Sequence, residues 1–315
     1  MALSRVVSRL VGHYDGEVPG VKAQLVRLLN HGALGGTGRM IILPVDQGFE
    51  HGPDRSFAMN EPAYHPFYHF ELAIEAGLTA LAAPLGLLQC GADRFAGQIP
   101  LILKLNHGCS LTDFGRGPSQ AQLASVKDAV RLGCAAVGFT LYPGSERFLE
   151  MLESLRVIVA QARDAGLPTV VWSYPRGGDL SKRGETALDV CAYAAHMAAL
   201  AGAHIIKVKL PTASVESAEA KKSLEVRLPL MEEASCRVAH VVRACLAGTR
   251  MVVFSGGASK GADDVLNDAR AIASGGGHGS IVGRNSFQRP RHEALGLLSQ
   301  LVDIYRQVPS IPDVL

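Results

Sequence analysis

The chain has 315 residues, 48% of them hydrophobic and 19% charged, with a formal net charge of +2. That length suits two average domains or one α/β barrel of roughly 250 residues, and the apolar share supplies a large core. A charge so near neutral argues for neither a nucleic-acid nor a membrane partner, and no stretch reads as a polyanion-binding tail, although the 31 basic residues can still gather around an anionic ligand.

Residues 1–38 open with an Arg-interrupted apolar stretch that forms no secretory h-region, so a surface helix and a cytoplasmic protein are expected. Val21, Leu25, Leu28 and Leu29 follow at helical spacing. The longest apolar run, Leu78 to Leu88, falls short of the ~20 residues that a bilayer requires. The six cysteines, at 90, 109, 134, 191, 236 and 245, include no Cys-x-x-Cys pair and read as small core residues in a reducing compartment.

From residue 40 a unit recurs in which a helical segment ends at a glycine and an apolar, β-rich run follows. The glycines are Gly77, Gly133, Gly166, Gly202, Gly248 and Gly277, each where a left-handed helix C-cap is wanted. The runs after them are Leu78 to Pro84, Ala135 to Thr140, Thr169 to Tyr174, the run from 203 to 211, Met251 to Ser255 and Ser280 to Gly283. Met40 to Val45 and Leu101 to Asn106 share that content and bring the count to eight. Helical spacing is clear in Gln120 to Leu132, Phe148 to Ala162, Leu188 to Leu200, Val265 to Ala273 and Ala294 to Tyr305. This alternation predicts an α/β fold of parallel strands, closed as a (β/α)8 TIM barrel or opened as a doubly wound sheet. The barrel is preferred because Val45-Asp-Gln-Gly-Phe-Glu-His-Gly52 lacks the Gly-x-Gly-x-x-Gly fingerprint. The expected organisation is an N-terminal helical extension, 1–38, and a single barrel, 39–315, with residues 212–248 longer than a plain crossover.

One run is anomalous. Ala203-His-Ile-Ile-Lys-Val-Lys-Leu-Pro211 is strand-like and flanked by Gly202, yet carries two lysines where a buried strand should have none. Alternation places Lys207 and Lys209 on one face, with Ile206 and Val208 on the other, so that each lysine should disfavour the other's charge. A nucleophilic amine must come down to a pKa of roughly 7 to 8 from ~10.4, and burial with a like-charged neighbour supplies that direction. The plainer alternative is a strand end whose ammoniums are solvated or ion-paired.

Barrel chemistry sits at the carboxyl ends of strands. Those ends carry Asp46, Lys104, Tyr142, Tyr174, Lys207, Ser255 and Arg284. Asp46 suits hydroxyl orientation, proton transfer or an Asx-turn. Trp172 and Tyr174 lie two apart and face the same way, one as a wall and one offering a phenol, unless both simply fill the barrel. Ser255, Gly256, Gly257, Gly283 and Arg284, with Lys260 nearby, follow the last two strands, the usual phosphate position, and Arg176 offers charge for a second phosphate. The eleven histidines, His51, His65, His69 and His107 among them, form no tight ligand cluster, so loop and surface roles are expected and no metal or other cofactor.

Asp46-Gln-Gly-Phe-Glu-His-Gly-Pro53, Leu101-Ile-Leu-Lys-Leu-Asn106, Val171-Trp-Ser-Tyr-Pro-Arg-Gly-Gly178, Ile206-Lys-Val-Lys209, Ser255-Gly-Gly257 and Val282-Gly-Arg-Asn285 together resemble the archaeal-type class I fructose-bisphosphate aldolases, in order, over about residues 36 to 290. The resemblance implies a metal-independent barrel that cleaves fructose 1,6-bisphosphate through a lysine Schiff base. It implies Lys207 as that lysine, where spacing alone leaves Lys209 open, and Tyr174 as proton donor. Asp46, Gln47, Arg176, Ser255, Gly256, Gly257, Gly283 and Arg284 then contact a phosphorylated ketose, with Trp172, Lys104 and Lys209 beside them. It also implies a ring-like homo-oligomer, on the scale of a decamer. Leu210-Pro-Thr212 and the long 212–248 segment depart from the family's pattern next to the site. Alternatives are an imine-forming aldolase or transaldolase-like enzyme for another sugar phosphate, a phosphate-binding isomerase with Asp46 as base, and a non-catalytic sugar-phosphate binder.

Overall fold

The computed structural model describes residues 3–111, 117–255 and 261–308. Among the described residues, eight parallel strands close into a barrel: β1 (Met40–Pro44), β2 (Ala80–Pro84), β3 (Leu101–Lys104), β4 (Ala136–Leu141), β5 (Thr169–Ser173), β6 (Ile205–Lys209), β7 (Met251–Ser255) and β8 (Gly279–Ile281). Each strand pairs with its neighbours in sequence, and β8 returns to β1 through Met40 opposite Gly279. Helices Pro66–Glu75, Leu85–Gly91, Val126–Arg131, Phe148–Asp164, Leu188–Leu200, Ala234–Ala244 and Ala262–Ser274 make the crossovers, and Arg291–Gln307 completes the ring.

Two apolar layers follow from the two-residue period of the strands. Ile41, Leu43, Leu103, Phe139, Ile206, Val208 and Phe254 point outward into the helices. Met40, Ile42, Ile102, Val170, Trp172, Ile205 and Val253 point inward. Lys207 and Lys209 are in phase with Ile205, so the sequence pattern alone sends both lysines toward the barrel axis.

The helices Arg5–Gly12 and Pro19–Leu29 close the floor at the amino ends of the strands. Val7, Leu10, Val21 and Leu25 are buried in the same cluster as the inward residues of β1, β6 and β7. Tyr14, between these helices, donates its hydroxyl hydrogen to the His204 carbonyl and accepts the Met251 N–H at 3.2 Å, joining the starts of β6 and β7. The opening segment therefore buries one face in the barrel and is more than a surface helix.

Three local expectations change. Gln120 to Leu132 is not one helix: Ala121–Gln122 pairs antiparallel with Asn106–His107, and the helix begins only at Val126. Ser125 and Asp128 form a capping box there, which fixes the start more firmly than the apolar spacing upstream. The left-handed glycine before β8 is Gly276 at φ 79°, not Gly277. Of the cysteines, Cys134, Cys191 and Cys245 are buried, but Cys90 is exposed and Cys109 and Cys236 are half-buried. The long segment before β7 holds a short helix, Ala218–Leu224, and a 3-10 turn, Glu225–Glu232, before the crossover helix. It is tied to the first turn of the helix Leu188–Leu200, where the Asp189 carboxylate accepts the N–H groups of Glu216 at 3.0 Å and Ser217 at 2.9 Å.

Candidate active site

The carboxyl ends of the strands surround a cavity whose lining includes Asp46, Glu50, Trp172, Tyr174, Lys207 and Arg284. Lys207 is 5% exposed. Its ammonium nitrogen lies 5.7 Å from the Trp172 ring centre and 5.0 Å from that of Tyr174. Burial lowers its pKa to about 8, against the opposing pull of the Asp46 and Glu50 carboxyls, and the Arg284 guanidinium adds to the depression.

Lys209 acts otherwise than its spacing suggested. Its nitrogen lies 3.1 Å from Glu185 Oε2, and Glu185 also holds Lys182 at 2.8 Å. The like charge that bears on Lys207 is therefore Arg284, which follows β8 and lines the same cavity, and not the lysine two residues on.

Lys104, at the end of β3, is also buried against Trp172, with its nitrogen 5.5 Å from that ring centre. It donates to the Asn106 carbonyl at 2.9 Å and lies 3.7 Å from Asp46 Oδ2. Gly138 makes room for this arrangement, since a Cβ there would come within 2.7 Å of Trp172 and 3.3 Å of Lys104. Burial alone would raise the Asp46 carboxyl, but Lys104 and Lys207 outweigh it and hold the group below the usual carboxylate range. Burial pushes the Tyr174 phenol well above its ordinary value, so it stays protonated. Its oxygen makes a long 3.5 Å contact with the Ser255 hydroxyl.

On the β8 side, Gly283 is in contact with β1: a Cβ there would sit 3.0 Å from Pro44 and 3.1 Å from Gln47 Nε2. Gln47 Oε1 is buried without a hydrogen-bond partner among the described residues. Ser255 and Arg284 border the same cavity. Gly256, Gly257 and Lys260 lie outside the described residues. Arg176 stacks over Tyr142 with its guanidinium 4.6 Å from the ring centre, and borders both this cavity and an adjoining hollow shared with Glu50, Tyr142 and Lys182.

The histidine expectation needs correction, because His69, His107, His204 and His278 are buried and His51 lines the cavity. His204 and His278 serve the barrel, their Nδ1 atoms accepting the N–H groups of Thr169 at 3.0 Å and Val252 at 3.1 Å. Glu50 and His51 were missed as cavity residues. Their signal was the position of Glu50, four residues after Asp46 and so on the same face of one helical turn, Gln47–His51.

Every expected side chain that is described thus borders one cavity or braces its wall. A buried amine with a depressed pKa, an ionised carboxylate, a protonated phenol and two arginines on one lining together suit carbonyl capture and proton transfer on an anionic substrate.

The sequence pattern of the DeoC/LacD family aldolases matches residues 40–289. The probable fructose-bisphosphate aldolase class 1 of Chlamydia muridarum is 38% identical over 297 residues, covering 90% of this chain and 84% of that one. The fructose-bisphosphate aldolase class 1 of Thermoproteus tenax is 36% identical over 253 residues, covering 80% of this chain and 84% of that one. A Schiff-base-forming fructose-1,6-bisphosphate aldolase, solved with its reaction intermediates, superposes with a TM-score of 0.73 at 32% identity, covering 89% of this chain and 98% of that one.

Proposed function

The chain belongs to the DeoC/LacD family of aldolases, and from that premise we propose that it is a class I fructose-bisphosphate aldolase, a lyase that reversibly cleaves fructose 1,6-bisphosphate to dihydroxyacetone phosphate and glyceraldehyde 3-phosphate. The observation that carries this reading is the buried Lys207 amine, with its pKa lowered to about 8, enclosed by Trp172, Tyr174 and Asp46. Relatives that share its fold and about a third of its residues form a Schiff base on the same substrate.

The neutral Lys207 amine attacks C2 of the open-chain ketose and water is lost. The resulting iminium accepts the electron pair released when the C3–C4 bond breaks, which is the service a metal ion would otherwise perform. Tyr174, neutral at physiological pH, manages the proton at the carbon that becomes nucleophilic. Ionised Asp46 accepts a hydrogen bond from a substrate hydroxyl and offsets the iminium charge. Trp172 walls the imine, while Lys104 and Lys209 complete the charge pattern around it. Gln47, Ser255, Gly256, Gly257, Gly283 and Arg284 hold the phosphate near C2, and Arg176 holds the far one.

In this reading residues 1–38 are a helical extension beneath an aldolase barrel, 39–315. The protein is a cytoplasmic, ring-like homo-oligomer that serves glycolysis and gluconeogenesis. Borohydride reduction with fructose 1,6-bisphosphate should attach the substrate carbon chain to Lys207, located by peptide mass spectrometry. Labelling elsewhere, full turnover in a folded Lys207→Arg variant, or activity abolished by EDTA would overturn the assignment.

A further inference from the structure

Glu50 has no part in the scheme above, yet it lines the cavity with Lys207 and Asp46. It follows Asp46 by one helical turn, with its N–H bonded to the Asp46 carbonyl at 3.2 Å, so both carboxyl groups share one face. It also borders the adjoining hollow together with Arg176 and Tyr142. The proposed function sets the near phosphate at Arg284 and the far one at Arg176, and Glu50 lines the cavity that both arginines and Lys207 border.

We infer that Glu50 is the acid–base residue for the oxygen on C4, serving the aldehyde half of the reaction. In cleavage, the Glu50 carboxylate takes the C4 hydroxyl proton. The O–H pair becomes the second bond of the aldehyde carbonyl, the C3–C4 bond breaks, and its electrons neutralise the iminium as an enamine. In bond formation, the enamine carbon attacks the aldehyde, the carbonyl π pair moves onto oxygen, and Glu50 returns the proton. One proton moves each way, and no other reactant is needed.

The surroundings separate the two carboxyl groups. Asp46 is held ionised by Lys104 and Lys207. Glu50 is raised by burial and by the Asp46 charge, against the pull of Lys104, Arg176 and Lys207. Tyr142 and Tyr174, protonated, face it from β4 and β5, and the His51 ring nitrogen lies 3.7 Å from its carboxylate oxygen. With 23% of its side chain exposed against 10% for Asp46, Glu50 is the better placed of the two to exchange its proton with water. Paired carboxyl groups pushed in opposite directions are the usual arrangement for dividing acid–base roles.

This inference rests on the Schiff-base reading, and the experiment separates the two. Glu50→Gln keeps the shape and removes the proton. In that variant, cleavage of fructose 1,6-bisphosphate should fall by about 10²- to 10⁴-fold in kcat with little change in KM. Borohydride trapping at Lys207 and exchange of the dihydroxyacetone phosphate α-proton with solvent, which needs no C4 oxygen, should continue at the wild-type rate on the alkaline plateau, where Lys207 is neutral in both proteins, while the rising limb of trapping moves to lower pH because one of the two carboxyls that oppose the Lys207 depression is gone. Glu50→Asp should recover part of the cleavage. Wild-type cleavage in Glu50→Gln, or loss of trapping and exchange together with cleavage, would remove Glu50 from this role. Absence of trapping in the wild-type protein would instead defeat the Schiff-base reading itself.

Discussion

The Asp46 carboxylate and the Lys104 ammonium meet at 3.7 Å, from the ends of two barrel strands that are not neighbours. Asp46 thus brings negative charge to a cavity that already holds Lys207, and the Lys207 pKa of about 8 is what remains after that attraction opposes burial. Activity that depends on the neutral amine should therefore rise with pH through about 8 and level off above it. Asp46→Asn removes the attraction, so the rising limb of the imine-trapping rate should move to lower pH. A limb that moves upward or stays in place would contradict this electrostatic account.

Tyr174→Phe leaves the ring that Lys207 approaches at 5.0 Å and removes only the phenol oxygen. The expected result is a kcat lower by about 10²- to 10⁴-fold with an unchanged melting temperature. Steady-state kinetics and a thermal melt on the same sample decide it.

Arg284 and Arg176 both line the cavity, and Arg176 alone also borders the adjoining hollow. Arg284→Ala should raise KM for fructose 1-phosphate and fructose 1,6-bisphosphate alike, whereas Arg176→Ala should raise it only for the bisphosphate. Loss of one charge-assisted contact corresponds to about 1.5–3 kcal/mol, or roughly 10- to 150-fold. Equal effects of both variants on both substrates would argue against two separate phosphate positions.

Burial lowers the pKa of His69, His107 and His204 to about 4 and that of His278 to about 3. These rings are neutral when folded and titrate near ~6.5 when unfolded. The unfolded chain then binds more protons in between, so this stability is present above about pH 6.5 and is lost as pH falls toward 4. Urea unfolding should give a lower free energy at pH 5 than at pH 7.5, each ring costing on the order of 1–2 kcal/mol at the lower pH. Equal midpoints at the two pH values would show that these histidines are matched in the unfolded state.

The barrel was legible because its strands carry their own signature: β-rich runs introduced by glycines, with inward lysines in phase with Ile205. The amine was legible for the same reason, since a two-residue period fixes which face a side chain takes. Its surroundings were less so. Glu185 neutralises Lys209 across 24 residues, and Gly138 makes room for Trp172 from the neighbouring strand. Both relations arise only when the sheet closes. The misplaced start of the helix before β4 has a local cause, as apolar spacing spoke for Gln120 onward while the Ser125 cap decided the boundary.

Tyr14 grips the residue just before β6 and the first residue of β7, while the reactive chemistry lies at the far ends of these strands. The chain's opening turn is thus a keel beneath the nucleophile's strand. A variant pared down at its start, or a fusion that drags on those helices, would loosen the aim of Lys207 from below and dull turnover without altering one atom that meets the sugar.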